Sequence, residues 1–582
     1  PLRHCGSLAH GNVEVTSQPL NNSAHATHTE RIIFWEAAAT CDTFAPGMAI
    51  ALGIDLGTTN SCAAVATPTG VEFILGSRAE RIHPSVVAFP GSGGVVVGAD
   101  AKRYRLTEPG NVIHSAKRFI GQNIRAPLVQ LALTGIRYKV TEGPNQQPIV
   151  TVRDRRMTMP EISSHVLLYL KRCAERQLGT AISDAVITVP ANFTDAQRQA
   201  TKEAGRLAGL TVTRLINEPT AAALAYGFGR NQDQLICVFD FGGGTFDVSI
   251  LRINGEIFEV LASDGDFFLG GDDLDRALAE VLAAECTRVL NFDPRPNPVL
   301  MMKLMMGAEA IKCHLSDNDA AEGEIDGIDL PNGQVGSLPF ALARQQFENL
   351  IGGYLNRTIE VTKQVLAQAN IEPSAISDVL CVGGSTRIPA VRGRLFDVFR
   401  KQPNISINPD EVVAQGAAIQ AGSISGSIIA GTGMGARDAV ITDAHSPLLY
   451  GGAKPVTALV RPVLMDVNPA ALAIQTAGGY AERLLDKNAP IPIERSRVFT
   501  TARDNQTRVE IDCCRGESRR FAENEPLGKL ILEELPPKPR GDLQIEVSFR
   551  VDADGILHVS AADVESGQKQ EASLHVIGAP TR

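Results

Sequence analysis

Two short segments of this 582-residue chain hold side chains suited to joint chemistry: Gly53-Ile54-Asp55-Leu56-Gly57-Thr58-Thr59-Asn60 and Asp240-Phe241-Gly242-Gly243-Gly244-Thr245-Phe246-Asp247. Each follows an apolar run that reads as a strand. The glycines let a tight hairpin bring backbone N–H groups against phosphate oxygens, and the threonine hydroxyls add donors. An aspartate at each strand end offers an oxygen ligand, direct or through water, to the magnesium that accompanies a polyphosphate. One Asp-x-Gly turn is ordinary loop chemistry. Two in one chain suggest a duplicated unit with a nucleotide clamped between the copies. No Gly-x-x-x-x-Gly-Lys-[Ser/Thr] sequence occurs, so the P-loop solution is absent. Gly431-Thr432-Gly433-Met434-Gly435-Ala436 has the spacing of a dinucleotide fingerprint. Neither a helix nor a suitably spaced acidic residue follows it, and it reads as linker.

The elements that must carry these hairpins have an α/β pattern. From residue 50 to about 425, β-rich runs such as Val186-Ile187-Thr188-Val189, Ile236-Cys237-Val238-Phe239 and Val379-Leu380-Cys381-Val382 alternate with helical segments. Thr194 and Gln197 make a capping-box pair, with Gly209 placed to terminate that helix. Pro219 opens another helix, through Ala221-Ala222-Ala223 to Gly227, and holds Glu218 extended at its N-terminus. Residues 423 to about 460 have a linker composition rich in Gly, Ser, Ala and Pro. From about 463 onward the pattern is strands and turns. Leu543 to Val551 alternates strictly, and Asp552-Ala553-Asp554-Gly555 turns into Ile556-Leu557-His558-Val559. An antiparallel sandwich follows from that alternation, with Pro536-Pro537-Lys538-Pro539 as a loop.

At ~150 residues per domain the length allows roughly four units. A 44% hydrophobic, 21% charged composition supplies several packed cores. The net charge of -10 gives no long-range attraction to nucleic acid or to an anionic membrane surface. No apolar run approaches the ~18 residues of a spanning helix. The ten cysteines form no CxxC pair, and Cys237 and Cys381 lie in apolar runs, as buried thiols of a cytoplasmic protein would. Cys513 and Cys514 are expected on opposite faces of one strand. The first 47 residues lack helical or strand periodicity and read as an unstructured tail ahead of a native start at Met48.

The two hairpins, together with Val189-Pro190-Ala191-Asn192-Phe193-Thr194-Asp195-Ala196-Gln197-Arg198, Ile216-Asn217-Glu218-Pro219-Thr220-Ala221-Ala222 and Val382-Gly383-Gly384-Ser385-Thr386-Arg387-Ile388-Pro389, resemble the seventy-kilodalton heat-shock chaperones of the bacterial type, from about Ala51 to about Ile577. The resemblance implies an α/β actin-like two-lobed ATPase, with duplicated ribonuclease H-like lobes, over 48–426. It implies an extended linker or insertion over 427–462 and an all-β peptide-binding sandwich over 463–579. ATP and Mg²⁺ are the implied cofactors, with K⁺ a further candidate. By resemblance, Asp55 and Asp240 hold the Mg²⁺ shell through water, while Gly57, Thr58, Thr59, Asn60 and Gly242, Gly243, Gly244, Thr245 cradle the phosphates. Lys117, in Ala116-Lys117-Arg118-Phe119-Ile120-Gly121, orients the attacking water. Glu218 positions water and senses the nucleotide, so the implied catalytic set is Lys117, Glu218, Asp240, Thr245 and Asp55. Glu309, Lys312 and Ser316, on one helix face at i, i+3 and i+7, contact adenosine, with Gly384, Ser385 and Arg387 opposite.

The resemblance further implies a groove for extended apolar peptides lined by Ile474, Ala477, Phe499, Ala502, Val509, Ile511 and Ile556. Pro190, Arg198, Arg214, Leu464 and Asp466 couple it to the ATPase, within the short apolar linker Val463-Leu464-Met465-Asp466 for the last two. Implied partners are unfolded or extended peptides, a J-domain co-chaperone contacting Arg214, and a nucleotide exchange factor, with no nucleic acid and no membrane. The sequence departs from the family at Asn192, where an aromatic residue is usual, at Cys313, where some members are basic, and in the insertion at about 427 to 460. The sequence reads to Ala579-Pro580-Thr581-Arg582, just after an expected strand, and on this resemblance the family's helical lid is expected to be missing. The expected function is ATP-dependent chaperoning of unfolded segments in the heat-shock and stress response. A specialised role in iron–sulfur cluster assembly, and a lidless nucleotide-binding interaction module, are the alternatives.

Overall fold

A computed structural model describes residues 50–67, 70–230, 233–426, 461–565 and 569–571. The expected tail and start at Met48, the segment 427–460 with its Gly431 to Ala436 spacing, and the end of the chain lie outside the described residues.

The first sheet runs Thr211–Asn217, Asp184–Val189, Ala51–Asp55, Asn60–Thr67, Gly70–Phe73, with Ile82–Pro84 also paired to Asn60–Thr67. The second runs Asp378–Val382, Asp233–Phe241, Phe246–Asn254, Ile257–Asp266, Val463–Val467, Pro490–Ile491. One pairing pattern occurs in both. Ala51–Asp55 is antiparallel to Asn60–Thr67 and parallel to Asp184–Val189. Asp233–Phe241 is antiparallel to Phe246–Asn254 and parallel to Asp378–Val382. Each glycine-rich segment is thus the turn of a hairpin whose first strand is covered on both edges, which explains the near-continuous apolar runs of those strands.

Local signals set the helices. Asp195–Leu207 begins with a complete Thr194/Gln197 capping box, and Gly209 beyond its end has φ 70°. Glu218–Gly227 has Asn217 at its N-cap and Pro219 in its first turn. Val412–Ser425 is buried along nearly its whole length and ends at Gly426 with φ 77°. Residues 423–425, read from composition as linker, are therefore helix, because tertiary burial outweighs the Gly/Ser content.

Helices Glu218–Gly227 and Val412–Ser425 pack between the two sheets. Their Ala221, Leu224, Val413 and Ile419 share one core with Val186 and Ile216 of the first sheet and Ile236, Leu251 and Phe258 of the second. The helices touch at Gly416, where any Cβ would collide with the Ala221 carbonyl. Two further cores lie outside this layer, one beneath each sheet.

Two four-stranded antiparallel sheets follow: Tyr480–Leu485, Leu472–Thr476, Val509–Arg515, Glu525–Leu532, and Ile493–Thr500, Gln544–Val551, Leu557–Asp563, Lys569–Glu571. They share a core of Leu472, Ile511, Leu530, Ile545, Phe549 and Val559 among others. Gln544–Val551 alternates exposed and buried residues, as its sequence does. Val463–Val467 belongs to neither of these sheets. It pairs parallel with Ile257–Asp266 and so extends the second sheet of the preceding region. Cys513 and Cys514 are both buried free thiols on Val509–Arg515. Among the described residues no helix is long and apolar enough to cross a membrane.

Candidate functional site

The two hairpin turns touch each other, and both line a cavity of about 350 Å³. Their glycines are required by contact. A Cβ on Gly243 would collide with the Thr59 side chain, and one on Gly244 with Thr58. The turns are held from behind by Ser85 Oγ, which donates to the Gly57 carbonyl at 2.8 Å, and by Ser385 Oγ, which donates to the Gly242 carbonyl at 2.9 Å.

On the cavity floor, Lys117 Nζ donates to Glu218 in a buried ion pair. Lys117 also lies 5.7 Å from the centre of the Phe193 ring. Asp55 accepts from Thr188 Oγ1 at 2.9 Å, and Asp247 accepts from Asn192 Nδ2 at 2.9 Å. Burial, followed by the Glu218 charge, pushes the Asp55 carboxyl up to about 7. The same two causes, in the same order, raise Asp240 and Asp247 well above the usual carboxylate range. Among the described residues, Lys117 is the cation whose charge bears most on these four carboxylates. Desolvated carboxylates with too little positive charge make a site that a divalent cation fits. Among the described residues no group of three or more His, Cys, Asp or Glu side chains is gathered for a metal. Magnesium held at Asp55 and Asp240 would therefore complete its shell with water and phosphate oxygens, its usual practice.

Of the residues expected around the nucleotide, Gly57, Thr58, Thr59, Asn60, Gly242, Gly243, Thr245, Glu309, Lys312, Gly384, Ser385 and Arg387 line the cavity. Gly244 lies in the contact between hairpins, its carbonyl accepting from Arg118 Nε at 3.0 Å. Ser316 lies one turn beyond the lining part of its helix, donating to the Lys312 carbonyl at 3.2 Å. Glu309 bonds Lys102 at 2.7 Å across the cleft, and Lys312 bonds Asp275 at 2.8 Å. Arg387 is held by Asp410 at 2.7 Å and by Asn408 at 3.0 Å. Cys313 also lines the cavity.

The residues expected to couple the regions meet at a second place. Arg198, fully buried, donates to the carbonyls of Phe193 and Ala191, to Asn217 Oδ1 at 2.8 Å, and to the Asp554 carbonyl at 3.1 Å. The Asp554 carboxylate accepts from Lys202 and, at 3.0 Å, from the Leu215 N–H, with Arg214 Nε 3.6 Å away. Asp195 accepts from the Leu557 N–H at 2.8 Å. Asp466 accepts from Thr220 Oγ1 at 2.5 Å, and Leu464 packs on the core between the sheets. Pro190 is buried at the end of its strand. Of the expected peptide-groove residues, Ile474 and Ile511 lie in the core shared by the two antiparallel sheets, and Phe499 and Val509 pack at its margin. Ala477 and Ala502 are exposed, and Ile556 is buried in the turn that meets Asp195 and Arg198.

Sequence reasoning passed over Asp247, Thr188, Asp272 and Arg118. Asp247 closes the second hairpin motif and could have been read there. Asp272 accepts from Ser115 Oγ at 2.7 Å and from Thr59 Oγ1 at 3.3 Å, while Arg118 grips Asp273 with two nitrogens. The acidic pair opening helix Gly271–Leu290 was the available signal.

A family profile described as Hsp70 protein matches residues 51–578. Members of that family are chaperone-type ATPases that bind ATP with Mg²⁺. Because the matched span takes in both hairpins, the helices between the sheets and the antiparallel sheets that follow, this chain belongs to the Hsp70 family.

Proposed function

We propose that the chain binds exposed apolar segments of unfolded proteins and that ATP hydrolysis between two actin-like lobes controls its peptide affinity. The observation that carries this reading is a continuous sheet. The second hairpin strand, Phe246–Asn254, pairs with Ile257–Asp266, which pairs with the linker strand Val463–Val467. A displacement at the phosphate turn therefore reaches the chain entering the antiparallel sheets through two ladders of backbone hydrogen bonds.

In this reading the facing turns grip the phosphates through backbone N–H groups and the hydroxyls of Thr58, Thr59 and Thr245. Bound magnesium supplies charge neutralisation to the phosphates and to the carboxylates of Asp55 and Asp240. Lys117 steadies charge on the transferred group, and Glu218, fixed by Lys117 and by its place at the start of a helix, orients the attacking water. Water adds to the γ-phosphorus as its bond to the β-phosphate oxygen breaks, giving ADP, inorganic phosphate and a proton.

Peptide affinity measured with ATP and with ADP tests the proposal. Weaker, faster-exchanging binding in ATP is expected. Equal affinities in the two nucleotides would refute coupling.

A further inference from the structure

The cavity does not end at the phosphate turns. Past Ser115 it continues into a recess between the two sheet regions, lined by Arg105, His114, Arg118, Arg137 and Arg276. One wall is helix Pro127–Leu133 with the turn after it, and the other is the first turns of helix Gly271–Leu290. Nε of Arg105 and Nε of Arg276 are buried there without a hydrogen-bond partner. Other basic groups lining the cavity are committed: Arg118 to Asp273, Lys117 to Glu218, Lys312 to Asp275 and Arg387 to Asp410; Lys102, just outside the lining, is paired with Glu309.

The acids facing the recess are Asp272, Asp275 and Glu309, whose charges all bear on Arg105, with Asp273 behind Arg118. Asp272 is bonded by the Ser115 and Thr59 hydroxyls, and Asp273 by Arg118, with Arg276 Nη2 at 4.0 Å. Arg137 has only the carbonyls of Thr134 and Ile136, each at 3.4 Å. Tyr138 donates to the His114 carbonyl at 2.7 Å, and its ring meets the imidazole edge-on. Burial, then the Arg105 charge, holds His114 down at about 3, so the imidazole is neutral. Burial also lowers Arg105. Unmet buried donors and incompletely paired buried cations are costly, and an anion rich in acceptors relieves both.

We propose that this recess is a second anion site, taking a compact tetrahedral oxyanion, and that it receives inorganic phosphate on its way out of the phosphate cradle. The guanidinium forks of Arg105, Arg137 and Arg276 suit phosphate oxygens. The recess belongs to the same cavity that the two phosphate turns line. Arg276 closes it from the second sheet region by lying over Gly135, where a Cβ would collide with the guanidinium. The origin of the phosphate rests on the ATPase reading above, whereas the anion site does not.

The test uses the full chain and two sources of phosphate. In the first arm, ADP and beryllium fluoride block the γ-phosphate position, and radiolabelled inorganic phosphate is titrated in. One equivalent should bind, about tenfold or more weakly in Arg105→Gln and in Arg276→Ser. Absence of binding, or binding unchanged in both variants, overturns the site. Arg276→Ser, at the partly exposed rim, keeps this arm decisive where Arg105→Gln fails to fold. In the second arm, a single turnover of γ-labelled ATP is followed by quench and by a phosphate sensor. Hydrolysis should precede release, with a lag at least tenfold shorter in Arg276→Ser at an unchanged chemical step. Binding in the first arm with no such lag overturns the exit role and leaves a site loaded from bulk phosphate. Failure to hydrolyse at all would strike the ATPase reading, because the first arm requires no turnover.

Discussion

Asp554→Ala removes the carboxylate on which the antiparallel sheets rest against the nucleotide-binding region. In the intact protein that group accepts from the Leu215 N–H and from Lys202 and stands 3.6 Å from Arg214 Nε. Hydrogen bonds to a charged group contribute about 1.5–3 kcal/mol each when sheltered. The Asp554 side chain is 13% exposed and that of Lys202 33% exposed, so the lysine bond is discounted for solvent screening. The Arg198 bond to the Asp554 carbonyl survives the substitution. A net loss of about 2–3 kcal/mol of docking follows, which shifts the ratio of docked to undocked protein by roughly 30- to 150-fold. Asp554→Asn keeps an acceptor for Leu215 and should lie between the two. Energy transfer between a dye on helix Asp195–Leu207 and one on strand Glu525–Leu532 reads the ratio directly, with ATP present. An Asp554→Ala protein that stays fully docked would show that this loop contact does not hold the two regions together.

Lys117→Ala should slow single-turnover hydrolysis by orders of magnitude while ATP still binds; breaking its buried pair with Glu218 should also cost about 3 kcal/mol of stability, read as a lower Tm of the nucleotide-free protein. Magnesium alone should stabilise the nucleotide-free protein by ~1.4 kcal/mol at tenfold over its Kd, read as a higher Tm, and this gain should vanish in Asp55→Asn/Asp240→Asn. Asp195 is raised to about 6 chiefly by burial at the domain contact, against an ordinary 3.8, so the docked form binds protons more tightly. Docking is then strongest below the ordinary value and weakens as pH rises through about 6. The docked ratio should fall about fourfold from pH 5.5 to 7.5, and Asp195→Asn, which keeps an acceptor for Leu557, should abolish the change.

What could be read from the sequence was mostly local. The two hairpins, the Thr194/Gln197 capping box and the Asn217-Glu218-Pro219 helix start are each written within a dozen residues, and the structure forms them as written. Contacts between distant segments were not legible. Asn192 looked like a mere departure until folding placed it on Asp247, and the Lys102 to Glu309 bridge joins residues 207 positions apart. Spacing put Ser316 on the same helix face as Glu309 and Lys312 but gave no measure of how far along the helix the cavity extends. The resemblance named Ile474 and Ile511 as groove-lining, and their apolar side chains alone did not distinguish a groove from a core between sheets. The pairing of Val463–Val467 depends on Ile257–Asp266, some two hundred residues earlier, and only the assembled fold reveals it.

That pairing also settles a problem of sheet hygiene. The outer edge of Ile257–Asp266 is covered by Val463 to Met465 from Ile257 to Glu259, and Ile257 is 44% exposed even then. Whenever the linker strand leaves, a row of unsatisfied N–H and C=O groups opens to any extended chain. The undocked protein then presents the adhesive kind of edge that a chaperone must suppress in others. Because the linker is tethered in cis, it re-covers this edge at an effective concentration that a client in solution does not match. In the proposed cycle, the segment that connects the two regions would therefore also guard the protein's own solubility.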